Sequence, residues 1–163
     1  MKKLLLLLMI VPMIGFGQTA YDYCEQGNDY HKEGEYQLAI ENYNRAISID
    51  PDYEYAYYRR GNLYRDLKNY DYSISDYTRA IRVNPDYIYA YLARGGVYYD
   101  LELWFVAITD FTIAVEIDPE YNSSYMYRGM AKEKAGLSYC SDYKRACDLE
   151  VEACCEWYDI ECK

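Results

Sequence analysis

Residues 57–85 read YYRRGNLYRDLKNYDYSISDYTRAIRVNP, and the place of Gly61 among them decides the fold. Tyr57, Gly61 and Tyr64 share one helical face, while Tyr70, Ser73, Tyr77 and Ala80 share another. The stretch is therefore two helices with a bend at Asn69. Pro85 ends the second, because a proline disfavours the α conformation at the residue before it, here Asn84. An interior helical glycine costs about 1 kcal/mol relative to alanine. Beside Arg59, Arg60 and several tyrosines it admits two readings, a contact for phosphate or nucleic acid and a packing device.

Working outward, the pattern recurs. Gly27, Gly61, Gly95 and Gly129 are spaced by 34 residues, as are Pro51, Pro85 and Pro119, and Ala46, Ala80 and Ala114. Aromatic residues keep the same step: Tyr23, Tyr57, Tyr91 and Tyr125; Tyr30, Tyr64 and Tyr98; Tyr36, Tyr70 and Trp104; Tyr43, Tyr77 and Phe111. One helical pair cannot bury its apolar stripe alone, whereas stacked pairs can. Asp52, Asp86 and Glu120 follow the prolines, near the start of the next helix, where the macrodipole favours an acid.

A unit of this length and order, from residue 20 to about 149, resembles the tetratricopeptide repeat. The resemblance implies an all-α, right-handed superhelical solenoid with a concave groove lined by first helices. The units are expected at 20–53, 54–87, 88–121 and, shortened, 122–149. In the last, Tyr143 and Ala146 arrive two residues early and no proline follows. VEACCEWYDIECK, within 150–163, is expected to form a capping helix with Val151, Cys154, Cys155 and Tyr158 on its apolar side.

The N-terminus carries a different signal. Lys2 and Lys3, an uncharged apolar run from Leu4 to Gly15, and small residues up to Gly17 have the layout of a cleaved secretory signal peptide, residues 1–17. The run is too short for a bilayer span and contains Pro12, so no membrane span is expected after cleavage. The expected location is the periplasm or the extracellular space. Removing Lys2 and Lys3 leaves 15 Lys and Arg against 27 Asp and Glu, a net charge of −12. Such a field argues against nucleic acid as a partner.

Six cysteines in an exported chain point to disulfides. Cys140 and Cys147 lie seven apart on one expected helix, about 10 Å along its axis, too far to bond each other. A cap running back antiparallel brings Cys147 opposite Cys154 or Cys155, and Cys140 opposite Cys162, leaving Cys24 and one of the vicinal pair over. The spacing lacks a CxxC and the single histidine, His31, is in the first unit, so neither a metal site nor thiol redox chemistry is expected. No phosphate-binding glycine loop, HExxH or supported Ser-His-Asp set is present, so neither catalysis nor a cofactor is expected.

Two columns vary together across the units. The residue before the glycine is Gln26, Arg60, Arg94 and Arg128, and the residue before the second-helix aromatic is Asn42, Asp76, Asp110 and Asp142. Arginine accompanies aspartate and amide accompanies amide, which predicts four matched pairs. Arg59 shares its column with Glu25, Ala93 and Tyr127 and reads as a solvated surface residue.

The resemblance also implies which residues line the groove. The first-helix columns not needed by the repeat signature supply Asn28, His31, Tyr55, Tyr58, Asn62, Arg65, Tyr89 and Tyr99 as candidate contacts for a protein or peptide partner. Asn28 and Asn62 stand where relatives that grip the acidic tails of heat-shock chaperones have asparagines. Cys24, Leu92 and Gly96 stand where that clamp needs basic residues, so a carboxylate clamp is not expected. Tyrosine suits peptide recognition, giving contact area at small entropic cost. The expectation is a non-enzymatic interaction module or envelope adaptor. The alternatives are a carbohydrate-binding or uptake accessory using exposed tyrosines, and a structural spacer.

Overall fold

The computed structural model describes residues 18–162, so the expected leader and its cleavage point lie outside the described residues. Nine helices, and no strands, occupy the described part of the chain. They are α1 (Ala20–Glu33), α2 (Tyr36–Ile49), α3 (Glu54–Asp66), α4 (Tyr70–Val83), α5 (Ile88–Asp100), α6 (Trp104–Ile117), α7 (Asn122–Lys134), α8 (Cys140–Asp148) and α9 (Glu152–Glu161). Successive helices pair as antiparallel hairpins, and hairpins stack into a right-handed solenoid. The first helices α1, α3, α5 and α7 touch one another in sequence, so they form the inner layer.

Each hairpin closes because its glycine lets an aromatic ring lie against bare backbone. A Cβ added at Gly27, Gly61, Gly95 or Gly129 would fall 2.7 to 2.8 Å from the nearest ring carbon of Tyr43, Tyr77, Phe111 or Tyr143. Real carbon contacts sit near 3.5–4.0 Å, so a methyl group there would force the ring to shift. The packing reading of Gly61 is thus the physical one. Buried alanines of each second helix, Ala46, Ala80, Ala114 and Ala146, bring the next hairpin close.

The turns repeat as well. Each first helix ends in a left-handed residue at Gly34, Lys68, Glu102 or Gly136. Between units, Asp50, Asn84 and Asp118 accept the backbone N–H two residues on, at 3.0, 3.1 and 2.9 Å, fixing the turn at each proline. The first helix opens on a reciprocal cap in which Thr19 Oγ1 accepts from Asp22 N–H and Asp22 accepts from Thr19 N–H.

In the fourth unit the two missing residues come out of the start of the second helix. α8 has 9 residues where α4 and α6 have 14, yet Tyr143 still meets Gly129. α9 then takes the place of the first helix of a fifth unit. Its Cys154 is buried as Ala56 and Ala90 are, and Trp157 lies 6.4 Å from the Tyr143 ring, much as Tyr127 stacks on Phe111 at 5.7 Å. Two disulfides, Cys140–Cys162 and Cys147–Cys155, with Cα separations of 5.6 and 4.7 Å, fasten α9 antiparallel to α8. Cys24 and Cys154 are free and buried. Trp157 and Ile160 of this cap are exposed, among the exposed acids Glu152, Glu156, Asp159 and Glu161.

Candidate functional site

The ion pairs belong to the scaffold. Arg60 Nε and Nη2 donate to Asp76 at 2.8 and 2.7 Å, Arg94 to Asp110 at 2.9 and 2.8 Å, and Arg128 to Asp142 at 3.1 and 2.6 Å. All three are two-pronged and nearly dry, and each arginine sits over a tyrosine of its own helix, Tyr57, Tyr91 or Tyr125. The third Arg60 nitrogen reaches back to Asn44 of the preceding unit, as Arg94 does to Thr78, so the pairs also tie neighbours together. The expected amide pair of the first unit does not form. Asn42 donates instead to the Leu38 carbonyl of its own helix at 2.8 Å, because a neutral amide finds a nearer acceptor.

Two of the candidate contacts are already engaged inside the fold. Asn28 is buried, where its side-chain oxygen accepts from the Tyr43 hydroxyl at 2.9 Å and from Arg59 Nε at 2.6 Å. Asn62 accepts from the Tyr77 hydroxyl at 2.7 Å. Both satisfy the hydroxyl of a core tyrosine, a donor that is costly to bury unpaired. Arg59 is not a solvated surface residue either: it is half-buried, bridges the first two units and lies over Tyr55.

The sequence carries a signal for this that the column reading missed. Asparagine occurs where the second-helix aromatic is tyrosine, at 28 with 43 and at 62 with 77, and glycine occurs at 96 where that aromatic is Phe111. In the fourth unit Met130 offers no acceptor, and Tyr143 donates to Glu133 at 2.9 Å.

Six tyrosines make the inner wall. Tyr53, Tyr55, Tyr58, Tyr87, Tyr89 and Tyr121 lie in a chain of ring contacts between 5.5 and 6.4 Å, with Tyr58 edge-on to Tyr87. Tyr53, Tyr87 and Tyr121 were not among the sequence candidates, although they recur at the 34-residue step. They stand at the junctions, where no helical face points to them. Burial raises the Tyr53 hydroxyl pKa to about 12 and pushes Tyr87 higher still.

The wall leads into an open cavity of about 410 Å³ among α3, α5 and α7. Gly96 and Phe111 form its floor, with Tyr58, Tyr89, Tyr99 and Arg65 among its other linings. The structure therefore gathers four of the eight candidates here. Tyr55 lies further along the tyrosine chain, and His31 is held apart by a 3.0 Å contact from Nε2 to Asp66. A second cavity of about 340 Å³ adjoins along Tyr99 and Met130, walled by Cys154 and Trp157 of the cap. Among the described residues, no cluster of three or more His, Cys, Asp or Glu side chains is placed to hold a metal, and no helix is long and apolar enough to cross a membrane.

An all-helical stack of 34-residue hairpins, each locked by a glycine against an aromatic ring, is an α-solenoid built from tandem repeats. Family profiles for "TPR repeat" and "Tetratricopeptide repeat" match residues 27–65 and 54–87. The chain belongs to the tetratricopeptide-repeat family. It is similar to the first TPR of Spaghetti (RPAP3), described as bound to the HSP90 peptide SRMEEVD, at 27% identity over 73% of this chain and 94% of that one, TM-score 0.68. Two crystal structures of MamA are each 26% identical. One matches over 80% of this chain and 73% of its own at TM-score 0.72, the other over 82% and 80% at 0.74. Among curated proteins none matches.

Proposed function

We propose that this protein is a non-catalytic interaction module that receives an extended segment of a partner protein in its inner groove and serves as an adaptor outside the cytoplasm. The observation that carries the reading is the continuous wall of half-buried tyrosines opening onto the cavity above Gly96. Rigid aromatic rings with one hydroxyl each give contact area and hydrogen bonds without much entropy to lose. The peptide described on the RPAP3 repeat supports a peptide as the kind of ligand. A clamp for that peptide's terminal carboxylate is not part of the reading, since Cys24, Leu92 and Gly96 stand where basic side chains would be needed. The signal-peptide-like pattern of residues 1–17 in the sequence and the two disulfides support an oxidising compartment.

Photo-crosslinking at single positions tests the reading. A benzophenone amino acid at Tyr89, in the groove, is expected to yield partner adducts in the native cell envelope. The same group at Tyr72, exposed on a second helix, is expected to yield none. Equal yields at both, or adducts at Tyr72 alone, would refute the groove as the contact surface.

A further inference from the structure

Resting on the groove reading, the geometry points to one anchor pocket in the third unit: the cavity above Gly96 and Phe111 accepts a bulky apolar side chain of the partner segment, whose main chain is met by Arg65 and Asp100. The starting point is the difference between two neighbouring glycines. Gly95 is there because a Cβ would strike Phe111 at 2.7 Å, whereas a Cβ on Gly96 would meet nothing within 4 Å. Glycine inside a helix lowers stability relative to alanine, and at position 96 no packing contact compensates for it. What the missing side chain does provide is room.

The corresponding places in the first two units are filled by Asn28 and Asn62, each covering a tyrosine hydroxyl. In the third unit the hydroxyl and the amide are both gone, so the floor turns from polar to apolar. Leu92, Ala93 and Met130 continue that surface, and Tyr89, Tyr121 and Tyr127 surround it. A volume of about 410 Å³ falls toward the lower end of ligand clefts, roughly 300–1,000 Å³. It suits one large side chain with its adjoining backbone.

The polar groups at the cavity complete the argument. Between the first two units, residues 31 and 66 close on each other at 3.0 Å. The same step forward gives Arg65 and Asp100, which both line the cavity but form no ion pair with each other. The carboxylate nearest Arg65 is Asp66 at 3.9 Å. An extended peptide offers at every residue a carbonyl for the guanidinium and an N–H for the carboxylate. A ligand of a single charge complements only one of the two groups. The excess of acidic residues over the whole chain further disfavours an acidic segment.

The test is selection of random nonapeptides by display against the oxidised protein, followed by affinity measurement with the selected peptides. Selected peptides are expected to share Leu, Ile, Met, Phe or Trp at one fixed position. Replacing that residue by alanine is expected to weaken binding at least tenfold, and Gly96→Leu, which fills the cavity, to weaken the parent peptide as much. Gly96→Leu is checked for an undiminished Tm, and the peptide-side change reads the pocket without altering the protein. If peptides bind, lose affinity with Tyr89→Ala, but show no bulky apolar position or ignore Gly96→Leu, the anchor pocket is overturned and the groove reading stands. If no peptide binds, both fail. Tyrosine fluorescence quenching by maltohexaose that Gly96→Leu abolishes would overturn both in favour of a sugar.

Discussion

Gly61→Ala and Gly96→Ala make the same chemical change on adjacent first helices, and the structure assigns them opposite signs. At position 61 the new methyl would sit 2.8 Å from Cε1 and 2.9 Å from Cδ1 of Tyr77. The ring must withdraw by about 0.7 Å to restore an ordinary contact. It has nowhere to go, being fully buried and tethered by its hydroxyl to Asn62 at 2.7 Å. Overpacking of this kind costs about 1–3 kcal/mol, and straining the hydroxyl bond adds up to about 1 kcal/mol. The better helix propensity of alanine returns about 1 kcal/mol. These terms sum to a loss of about 0–3 kcal/mol, centred on about 1.5 kcal/mol. At position 96 only the propensity remains, a gain of about 1 kcal/mol. For a chain of this size each kcal/mol moves Tm by about 2–4 °C. Circular dichroism melts and urea titrations of the two variants, run side by side, measure the difference. A Gly61→Ala variant as stable as the parent would show that the close approach of the hairpin is adjustable. A destabilised Gly96→Ala would show that the floor of the cavity is packed, contrary to the geometry.

Other outcomes follow from the same contacts. Asp110→Ala strands the half-buried Arg94 guanidinium and is expected to cost about 3 kcal/mol, while Arg94→Asp with Asp110→Arg recovers most of it in a double-mutant cycle. Without reductant, two thiols, Cys24 and Cys154, are expected to react with a thiol reagent in denaturant and none in the native protein; burial holds the Cys24 pKa at about 12. Reduction removes about 3 kcal/mol at the Cys140–Cys162 loop and should free α9, seen as proteolysis first within residues 149–161 and greater exposure of Trp157. Burial also raises Tyr43, Tyr53 and Tyr77 from the ordinary 10 to about 12, so their native protons are held more tightly than in the unfolded chain. That contribution is complete below pH 10 and is lost as pH rises from 10 through 12, so tyrosinate absorbance and unfolding should rise together in that window.

What the sequence made readable was whatever repeats within one hairpin. Gly61 with Tyr77, and Arg60 with Asp76, are intra-unit contacts, so three aligned copies expose them. Contacts between units were harder to see. Arg59 looked solvated because Glu25, Ala93 and Tyr127 share no chemistry with it, yet it finds its acceptor on Asn28 of the preceding unit. Tyr53, Tyr87 and Tyr121 were passed over because junction residues lie on no helical stripe. That the side-chain oxygens of Asn28 and Asn62 accept from Tyr43 and Tyr77 was equally hard to see, because the hydroxyls come from the paired helix 15 residues further on. Successive residues of α9 point to different sides, and only the packed register decides that Cys155 meets Cys147 while Cys154 turns into the core.

The hairpin lock and the cavity floor occupy adjacent but separate positions, 95 and 96, and this separation makes the scaffold editable. Arg94, Gly95, Asp110 and the small alanines determine where the helices go, and they are matched in unit 2 by Arg60, Gly61 and Asp76. Exchanging Asn62 and Tyr77 for glycine and phenylalanine would therefore transplant the apolar floor one unit toward the N-terminus without redrawing the backbone. A chain of this architecture can shift or duplicate its recognition chemistry by two coupled substitutions per unit, so that recognition diverges faster than the fold.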